Sequence, residues 1–270
     1  MPDPKNRLND LEAKRWLQFQ KSWFVHNPPP RERGVLLHPA KFPETMIQEF
    51  VEFFTKPGMT VLDPMCGTGS VLVACAQCGR SSVGVELLEK YARIAEHRAK
   101  QAYARVEGVE GQVITADARR LDRLGIGQVD YCITSPPYWD MLNRKGYETQ
   151  ARRRREGLDV AYSEHPDDLG NEQDYRRFLN QLVAIYRQVG DLLRPGGYLT
   201  IIAKNVKKGG RNYPLAWDLG RRVGRYLALK DEKIWCQDNQ KLAPYGYRYS
   251  WVSNTMHHYC LNFRKTGSGG

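Results

Sequence analysis

The chain has 270 residues, of which 41% are hydrophobic and 26% charged, and its formal net charge is +11. Such a length and composition are typical of one soluble globular domain with appendages. No apolar run reaches the roughly 18 residues of a membrane span, and the first residues lack the apolar core of a signal peptide. We therefore expect a cytoplasmic protein without a membrane partner. The excess of basic residues favours a phosphate polyanion as partner, although solubility alone would also explain it.

The first predicted elements are two helices. Apolar residues at mixed three- and four-residue spacing predict a helix over residues 7–26, which must end at Asn27-Pro28-Pro29-Pro30. A second helix follows Pro43 and stops at Lys56-Pro57-Gly58. We accordingly expect an N-terminal helical extension over residues 1–34, a main domain over 35–265 and a flexible tail over 266–270.

From residue 59 onward, short apolar strands alternate with amphipathic helices. This alternation predicts an α/β fold, in which a mostly parallel sheet carries helices on both faces and binds ligands beyond the carboxyl ends of its strands. Strands are expected at 59–63, 82–86, 112–115, 129–134, 198–203, 232–236 and 259–264. Helices are expected at 70–77, 88–102, 175–193 and 214–229.

Six cysteines are spread through the chain, and a cytoplasmic location argues against disulfides. Cys75 and Cys78 form an isolated C-x-x-C pair inside a predicted helix. Neither a second pair nor a nearby histidine completes a tetrahedral zinc site, so we expect no metal.

A glycine turn follows the first strand of the alternating region, in the sequence VLDPMCGTGS. Gly67 and Gly69 let the backbone approach a ligand closely, and the helix that begins there offers unpaired N–H groups. No Lys-Ser/Thr follows the glycines, which argues against an ATP-type phosphate loop. Glu86 ends the next strand, where a carboxylate accepts hydrogen bonds from both ribose hydroxyls of a nucleoside cofactor. A dinucleotide cofactor stays open on these residues alone.

A second motif, Ser135-Pro136-Pro137-Tyr138, follows a predicted core strand. Two prolines stiffen the backbone and remove two N–H donors, which leaves carbonyl groups free to accept hydrogen bonds. The serine hydroxyl adds an acceptor, and the tyrosine ring offers a stacking platform. These groups suit the exocyclic amine of a base, whose two N–H donors need acceptors and whose nitrogen must be aimed at a methyl donor. In a duplex the base must first leave the stack.

Taken together, these motifs resemble two nested groups of enzymes. The sequence from Asp63 to Gly69 is similar to the D-x-x-x-G-x-G motif of Rossmann-like methyltransferases. Ser135–Tyr138 resembles the [DNS]-P-P-[YFW] motif of the DNA amino methyltransferases, which make N4-methylcytosine or N6-methyladenine. Three further segments resemble that family, namely 38–43, 193–197 and 258–265. The resemblance implies a Rossmann-like fold with a mostly parallel seven-stranded sheet and an antiparallel closing strand.

The resemblance also implies a cofactor, S-adenosyl-L-methionine, and the residues that use it. Asp63 and the glycine turn would surround its methionine part, Glu86 its ribose and Asp117 its adenine, with a turn or helix cap as the alternative for Asp117. The full implied cofactor set is Lys41, Phe42, Asp63, Pro64, Met65, Cys66, Gly67, Thr68, Gly69, Ser70, Glu86, Asp117, Ala118 and Ser135. The implied catalytic residues are Ser135, Pro136, Pro137 and Tyr138.

Within that family, a serine before the two prolines is more typical of enzymes that act on the N4 amine of cytosine in DNA. Four alternatives stay open: N6 methylation of adenine, methylation of an RNA base amine, a small-molecule substrate, and a nucleic-acid-binding module without turnover. The RNA alternative arises because residues 63–69 also resemble the first motif of RNA guanine-N2 methyltransferases.

No large target-recognition domain follows the last predicted strand, so other segments must contact the nucleic acid. We expect the N-terminal helix and the charged connection over residues 139–172 to make these contacts. Compact domains seldom contain so long a loop without a function for it. The predicted contact residues are Trp139, Tyr147, Arg152, Arg153, Arg154, Arg155, Lys204, Lys207 and Lys208. Tyr245, Tyr247, Tyr249 and Trp251 alternate with smaller or polar residues, which indicates either a half-buried strand or an aromatic surface for bases.

Overall fold

A computed structural model describes residues 6–27, 42–139 and 165–267. Its described residues form six α-helices and ten strands in an α/β arrangement, which confirms the predicted fold class. The helices are α1 Ala13–Phe19, α2 Glu44–Phe54, α3 Ser70–Gln77, α4 Glu89–Tyr103, α5 Tyr175–Leu192 and α6 Leu215–Val223. The strands are β1 Trp23–Val25, β2 Thr60–Asp63, β3 Ser81–Glu86, β4 Gly111–Thr115, β5 Val129–Thr134, β6 Leu193–Ala203, β7 Val206–Lys208, β8 Arg211–Tyr213, β9 Ala228–Cys236 and β10 His257–Arg264.

Eight of these strands form one sheet, in the order β1-β9-β10-β6-β5-β2-β3-β4. The chain builds outward from β2 through β3 to β4, then returns to β5 on the other side of β2 and continues through β6. The strand order therefore reverses between β2 and β5, whose pairing is parallel. A reversal of this kind opens a crevice at the carboxyl ends of the two strands, which is where α/β folds bind ligands.

The far side of the sheet contains the antiparallel strand that the sequence predicts. Strand β10 lies between β6 and β9 and runs antiparallel to both. Strand β9 therefore points in the same direction as β6 and β5, and the segment that follows it leaves the sheet at the edge where the crevice opens.

An eighth strand, at the edge of the sheet, corrects the expectation of seven strands and of a single helix over residues 7–26. The helix covers only Ala13–Phe19, and Trp23–Val25 forms β1, which pairs in parallel with Ile234–Cys236 of β9. The pairing satisfies backbone groups along an edge of β9 that would otherwise be open. Helical periodicity cannot reveal such a partner, because the pairing joins residues about two hundred positions apart.

One further expectation in the C-terminal part is wrong. The helix expected over 214–229 ends at Val223, and residues 228–231 join β9, where they pair with β10. Of the two alternatives for residues 245–251, the half-buried strand is excluded, because the segment forms turns with exposed aromatic side chains. A short antiparallel hairpin of β7 and β8 was not predicted; it turns at Gly209 and Gly210, both with positive φ.

The sheet has an apolar core on each face, since successive side chains of a strand point to opposite sides. On one face the apolar stripe of α5, formed by Phe178, Leu182, Ile185 and Val189, is fully buried. On the other face Phe50 and its neighbours in α2 pack on Tyr131 and Ile133 of β5. In the described part of the chain, none of the helices has both the length and the apolar character needed to cross a membrane.

Candidate cofactor and catalytic site

The crevice at the reversal of strand order is a cavity of about 970 Å³, counting the space at its open mouth. It lies at the carboxyl ends of β2, β3 and β5, where the topology predicts a ligand site. Twelve of the fourteen residues expected to hold the cofactor line it: Phe42, Asp63, Pro64, Met65, Cys66, Gly67, Thr68, Ser70, Glu86, Asp117, Ala118 and Ser135. Pro136 and Pro137 line it as well.

The remaining two cofactor residues do not line the cavity in the described structure. Lys41 lies outside the described residues. Gly69 stands behind the turn, with φ +79°, and an added Cβ there would meet the Cα and Cβ of Ala95 in α4 at 3.0 Å. Gly69 therefore acts by allowing α4 to pack against the turn.

Strand β3 holds the glycine turn in place. The amide of Cys66 donates to the Val85 carbonyl at 2.9 Å, and the amide of Gly67 donates to Oε2 of Glu86 at 2.9 Å. The other carboxylate oxygen of Glu86 accepts from the amide of Leu88 at 2.9 Å. Burial raises the pKa of Glu86. Its carboxyl thus joins the two loops at the mouth of the cavity while facing the position expected for a ribose.

Asp63 joins the ends of the two central strands. Its Oδ1 accepts from the hydroxyl of Thr134 in β5 at 2.7 Å and from the amide of Met65 at 3.1 Å. The side chain is buried, which raises the pKa of Asp63 to about 7 despite these two hydrogen bonds, and the nearby Glu86 raises it further. Asp63 therefore titrates near neutrality rather than near the pKa of a solvated carboxyl.

Asp117 caps the short 3₁₀ turn over Ala118–Arg123, where its carboxylate accepts from the amide of Arg119 at 2.9 Å. It also lines the cavity, and its contact with adenine stays a prediction. The Arg119 guanidinium pairs with the same carboxylate at 2.6 Å and with Asp167 at 2.7 Å. Although burial opposes it, these contacts with Arg119 lower the pKa of Asp117.

The charge of the cavity distinguishes between classes of ligand. Five carboxyl-bearing residues line it, and none of its described lining residues is Lys, Arg or His; the five are Asp63, Glu86, Asp117, Asp167 and Asp168. A phosphate-rich ligand would be repelled by such walls, which disfavours the dinucleotide left open by the sequence. A ligand with cationic groups is favoured. S-adenosyl-L-methionine carries a sulfonium and an ammonium, and its adenine would meet the apolar walls.

A buried hydroxyl also points to a ligand. The side chain of Thr68 is 2% exposed, and its Oγ1 makes no hydrogen bond to any of the described residues. Leaving a buried polar group without a partner costs free energy. A polar ligand group in the cavity would satisfy this hydroxyl, so the residues present fit the expected cofactor.

Ser135 lies at the carboxyl end of β5 and faces the cavity. Its Oγ lies 3.2 Å from the Tyr138 hydroxyl and 3.4 Å from the Pro136 carbonyl oxygen. The ring of Tyr138 is 5% exposed and packs beside His258, at 5.8 Å between ring centroids. The hydroxyl of Tyr138 therefore lies next to Ser135. Its ring is buried in this structure and is not available for the expected stacking on a base.

Trp139, expected to contact nucleic acid, is buried instead. Its side chain is 3% exposed and lies between Tyr175 and Tyr213, while the Lys208 ammonium sits 4.5 Å from its ring centroid. Its φ of +47° is unusual for a bulky residue. In this conformation the ring cannot stack on a base without a rearrangement, and its contact with nucleic acid stays a prediction.

The other predicted contact residues are placed unevenly. Tyr147 and Arg152–Arg155 lie outside the described residues. Lys207 and Lys208 lie on the β7–β8 hairpin, which follows the carboxyl end of β6 at the edge of the sheet where the cavity opens. Lys204 precedes the hairpin and is half-buried; burial and then the charge of Lys207 lower its pKa to about 8.

Several lining residues were not predicted. Leu87, Leu88 and Tyr91 lie within five residues after Glu86. The end of the predicted strand was used to identify Glu86, and the same signal could have identified these apolar neighbours. Asp167, Asp168 and Leu169 reach the cavity from the end of the long connection. Their approach depends on Arg119, about fifty positions earlier, and no local pattern announces it.

Comparison with known proteins agrees with this geometry. Residues 2–97, which include the glycine turn, match the family of DNA methylases of N6 and N4 type. Over this segment the chain is similar to the DNA amino methyltransferases. This match, with the charge and shape of the cavity, supports S-adenosyl-L-methionine as the cofactor. The matched segment ends before Ser135, so the assignment of the second motif rests on its position at the same cavity.

Individual relatives match over a short segment. The type II methyltransferase M.Cfr9I of Citrobacter freundii is 46% identical over 61 residues, covering 23% of this chain and 20% of that protein. M.SmaI of Serratia marcescens is 43% identical over 61 residues, covering 23% of this chain and 21% of that protein. The chain thus matches about a fifth of the length of these relatives.

A solved structure has a similar fold. TrmN from Thermus thermophilus superposes with a TM-score of 0.50 at 18% identity, covering 82% of this chain and 48% of that one. The likeness in fold covers a larger share of the chain than the sequence matches do.

Proposed function

We propose that the protein is a DNA methyltransferase that transfers a methyl group from S-adenosyl-L-methionine to the exocyclic amine of a base, with the N4 amine of cytosine as the target. One observation carries the proposal: Ser135, Pro136 and Pro137 line the same cavity as the glycine turn. A base amine held by the second motif would therefore stand next to a cofactor held by the first. Support for DNA comes from the match of residues 2–97 to the family of DNA methylases.

The chain's own residues suit this transfer chemically. S-adenosyl-L-methionine supplies an activated methyl group when it is bound. The Ser135 hydroxyl and the Pro136 carbonyl are acceptors at the cavity, and together they would bind both N–H groups of an amine and turn its lone pair toward the methyl carbon. Such positioning supplies much of the rate in a direct displacement. Cytosine is favoured over adenine because a serine stands first in the motif.

Mass spectrometry of nucleosides tests the proposal. Duplex DNA and RNA are incubated with the protein and isotope-labelled cofactor, then digested to nucleosides. Labelled N4-methylcytosine in DNA is the expected product. Labelled N6-methyladenine would overturn the choice of base, label found only in RNA would overturn the choice of polymer, and no label in either would overturn the function.

A serine variant tests the role of the motif. We expect Ser135→Ala to lower the rate of methyl transfer by roughly 10²–10³-fold, as removal of a single positioning donor or acceptor does in other enzymes. Binding of S-adenosylhomocysteine, measured by calorimetry, should stay within about twofold of the wild type. Ser22→Ala is the matched control, since Ser22 is exposed on the N-terminal segment. Full activity of Ser135→Ala would contradict the mechanism.

A further inference from the structure

An exposed aromatic turn lies at the cavity edge of the sheet, and neither the family match nor the proposed chemistry accounts for it. We define the aromatic turn as residues 245–251. Three of its rings are largely exposed: Tyr247 at 66%, Tyr249 at 94% and Trp251 at 89%. Exposed rings do not contribute the hydrophobic stabilisation that buried rings would, so a group of them indicates an interaction surface.

The aromatic turn has a defined conformation. Asn254 closes its base, accepting from the Ala243 amide at 2.8 Å and donating to the Ala243 carbonyl at 2.9 Å. Gly246 has φ +69° and its carbonyl accepts from the amides of Tyr249 and Ser250. An added Cβ at Gly246 would clash with the Ser250 carbonyl oxygen. These contacts hold the backbone that displays the rings.

The β7–β8 hairpin is attached to the aromatic turn. The Lys207 ammonium donates to the carbonyl and, at 3.0 Å, to the hydroxyl of Ser253. Lys208 of the same hairpin covers the ring of Trp139, the residue that directly follows the second motif. The hairpin thus connects the aromatic turn to the catalytic end of β5.

The surface formed by the aromatic turn and the hairpin differs from the cavity in charge. Residues 204–213 and 239–256 contain six cationic side chains and no Asp or Glu: Lys204, Lys207, Lys208, Arg211, Lys241 and Arg248. The cavity beside them is lined by five acidic residues. A surface that combines exposed rings with cations and excludes carboxylates suits a polyanion whose bases are free to stack.

We propose that the aromatic turn and the β7–β8 hairpin bind single-stranded DNA, stacking bases on Tyr249 and Trp251 while cations contact the phosphates. The inference deepens the proposed function, since it rests on DNA being the substrate and places an unpaired segment beside the motif that would receive the target base. Stacking accepts any base, so this surface contributes affinity rather than sequence recognition.

Binding measurements test this without requiring turnover. The probe is a short fluorescein-labelled single-stranded oligodeoxynucleotide of mixed sequence, titrated by fluorescence anisotropy. We expect Tyr249→Ala and Trp251→Ala each to weaken binding about tenfold, and Tyr249→Phe to stay within about twofold because the ring is kept. Tyr226→Ala, which changes an exposed tyrosine just after the end of α6, is the control and should bind as the wild type does.

A second pair of variants tests the cations. Arg248→Gln and Lys241→Gln should each lower the slope of log affinity against log salt by about 0.7. If both alanine variants bind the oligonucleotide as tightly as the wild type, the proposed stacking surface is wrong. It is also wrong if Tyr249→Phe loses as much affinity as Tyr249→Ala. Neither result would contradict the proposed methyl transfer. Tighter binding of single-stranded RNA than of DNA would overturn the choice of polymer here. The proposed function is tested by a different experiment: it fails if no labelled nucleoside appears in DNA, whatever the binding measurements show.

Discussion

Asp63 makes the stability of the fold depend on pH at one residue. Its pKa is about 7 in the folded protein, because it is buried, and the ordinary value of 3.8 applies when the chain unfolds. Between these two pH values Asp63 holds about one proton more in the folded protein than in the unfolded chain. Its contribution to the free energy of unfolding therefore falls by about 1.4 kcal/mol for each unit of rising pH, and levels off above about pH 7.

We expect Asp63→Asn to remove this dependence, because the amide cannot ionise and its oxygen still accepts from Thr134. The measurement is the melting temperature as a function of pH across the interval between the two pKa values. Asp122→Asn, which changes an exposed carboxyl, should keep the slope of the wild type. An equal slope in Asp63→Asn and in the wild type would show that another group titrates.

Asp63 should also couple pH to cofactor binding. An ammonium beside this carboxyl favours its ionised form, so binding must release the proton that the free protein holds below pH 7. We expect the affinity for S-adenosylhomocysteine to rise with pH up to about 7 and then to level off. Calorimetry in buffers of different ionisation enthalpy measures the released proton directly, and Asp63→Asn should release none.

Single residues also show how far sequence reasoning extends. The glycine turn, Glu86 and the serine-proline motif could be predicted because each follows a strand, and strand ends meet at one edge of the sheet. Trp139 was predicted to contact nucleic acid because it follows the motif directly. Its burial depends on Tyr175 and Tyr213, which lie in distant elements. The residues next to Trp139 in the sequence do not predict that contact.

At the scale of elements, a small polar network fixes the glycine turn between two helices. Arg98 of α4 donates to Glu44 of α2 at 2.7 Å and to the Thr68 carbonyl at 2.5 Å. Ser70, at the start of α3, donates to the same Glu44 oxygen at 2.9 Å. Both charged side chains are less than a fifth exposed. Helices α2 and α4 thereby hold the turn from both sides.

We expect Arg98→Met to destabilise the protein by about 2 kcal/mol, since it leaves a partly buried carboxylate without its charged donor. The affinity for S-adenosylhomocysteine should fall with it, because Thr68 lines the cavity. Urea unfolding and calorimetry measure the two effects. Arg93→Met removes an exposed ion pair with Glu89 from the same helix and should cost only about 0.3–0.5 kcal/mol. Equal effects of the two variants would contradict a positioning role for Arg98.

Element boundaries were predicted well where burial on one face set the pattern, as in α2 and α5. They were wrong where strand pairing overrides helical spacing, at residues 20–25 and 224–231. Both segments carry apolar residues at spacings that suit a helix, yet each gains backbone hydrogen bonds from β9 or β10. Periodicity reports the side chains of a segment, and it contains no information about which distant backbone is available.

In the whole molecule, the N-terminal segment is part of the packed structure. Asn9 is fully buried, and its amide donates to the Phe53 carbonyl at 2.6 Å. Phe19 stacks on Phe53 at 4.0 Å between ring centroids. The buried ammonium of Lys233 in β9 donates to the carbonyls of Phe19 and Lys21. The segment therefore covers groups that both α2 and β9 would otherwise expose.

We expect Asn9→Ala to lower the free energy of unfolding by about 1–3 kcal/mol, because it leaves a buried carbonyl without a donor. Differential scanning calorimetry should show the main transition shifted to lower temperature. Asn239→Ala, at an exposed position, should leave it unchanged. An early separate transition in Asn9→Ala, with the main one unmoved, would mean that the N-terminal segment unfolds on its own.

The pairing of β1 with β9 sets an order of events during synthesis. Trp23 pairs with Ile234, and Asn27 donates to Asp238, a separation of 211 residues. A ribosome adding about 5–20 residues per second needs roughly 10–40 s to make that intervening chain. During this interval Trp23, Phe24 and Val25 have no partner strand, so the first part of the sheet to be translated is among the last to be completed.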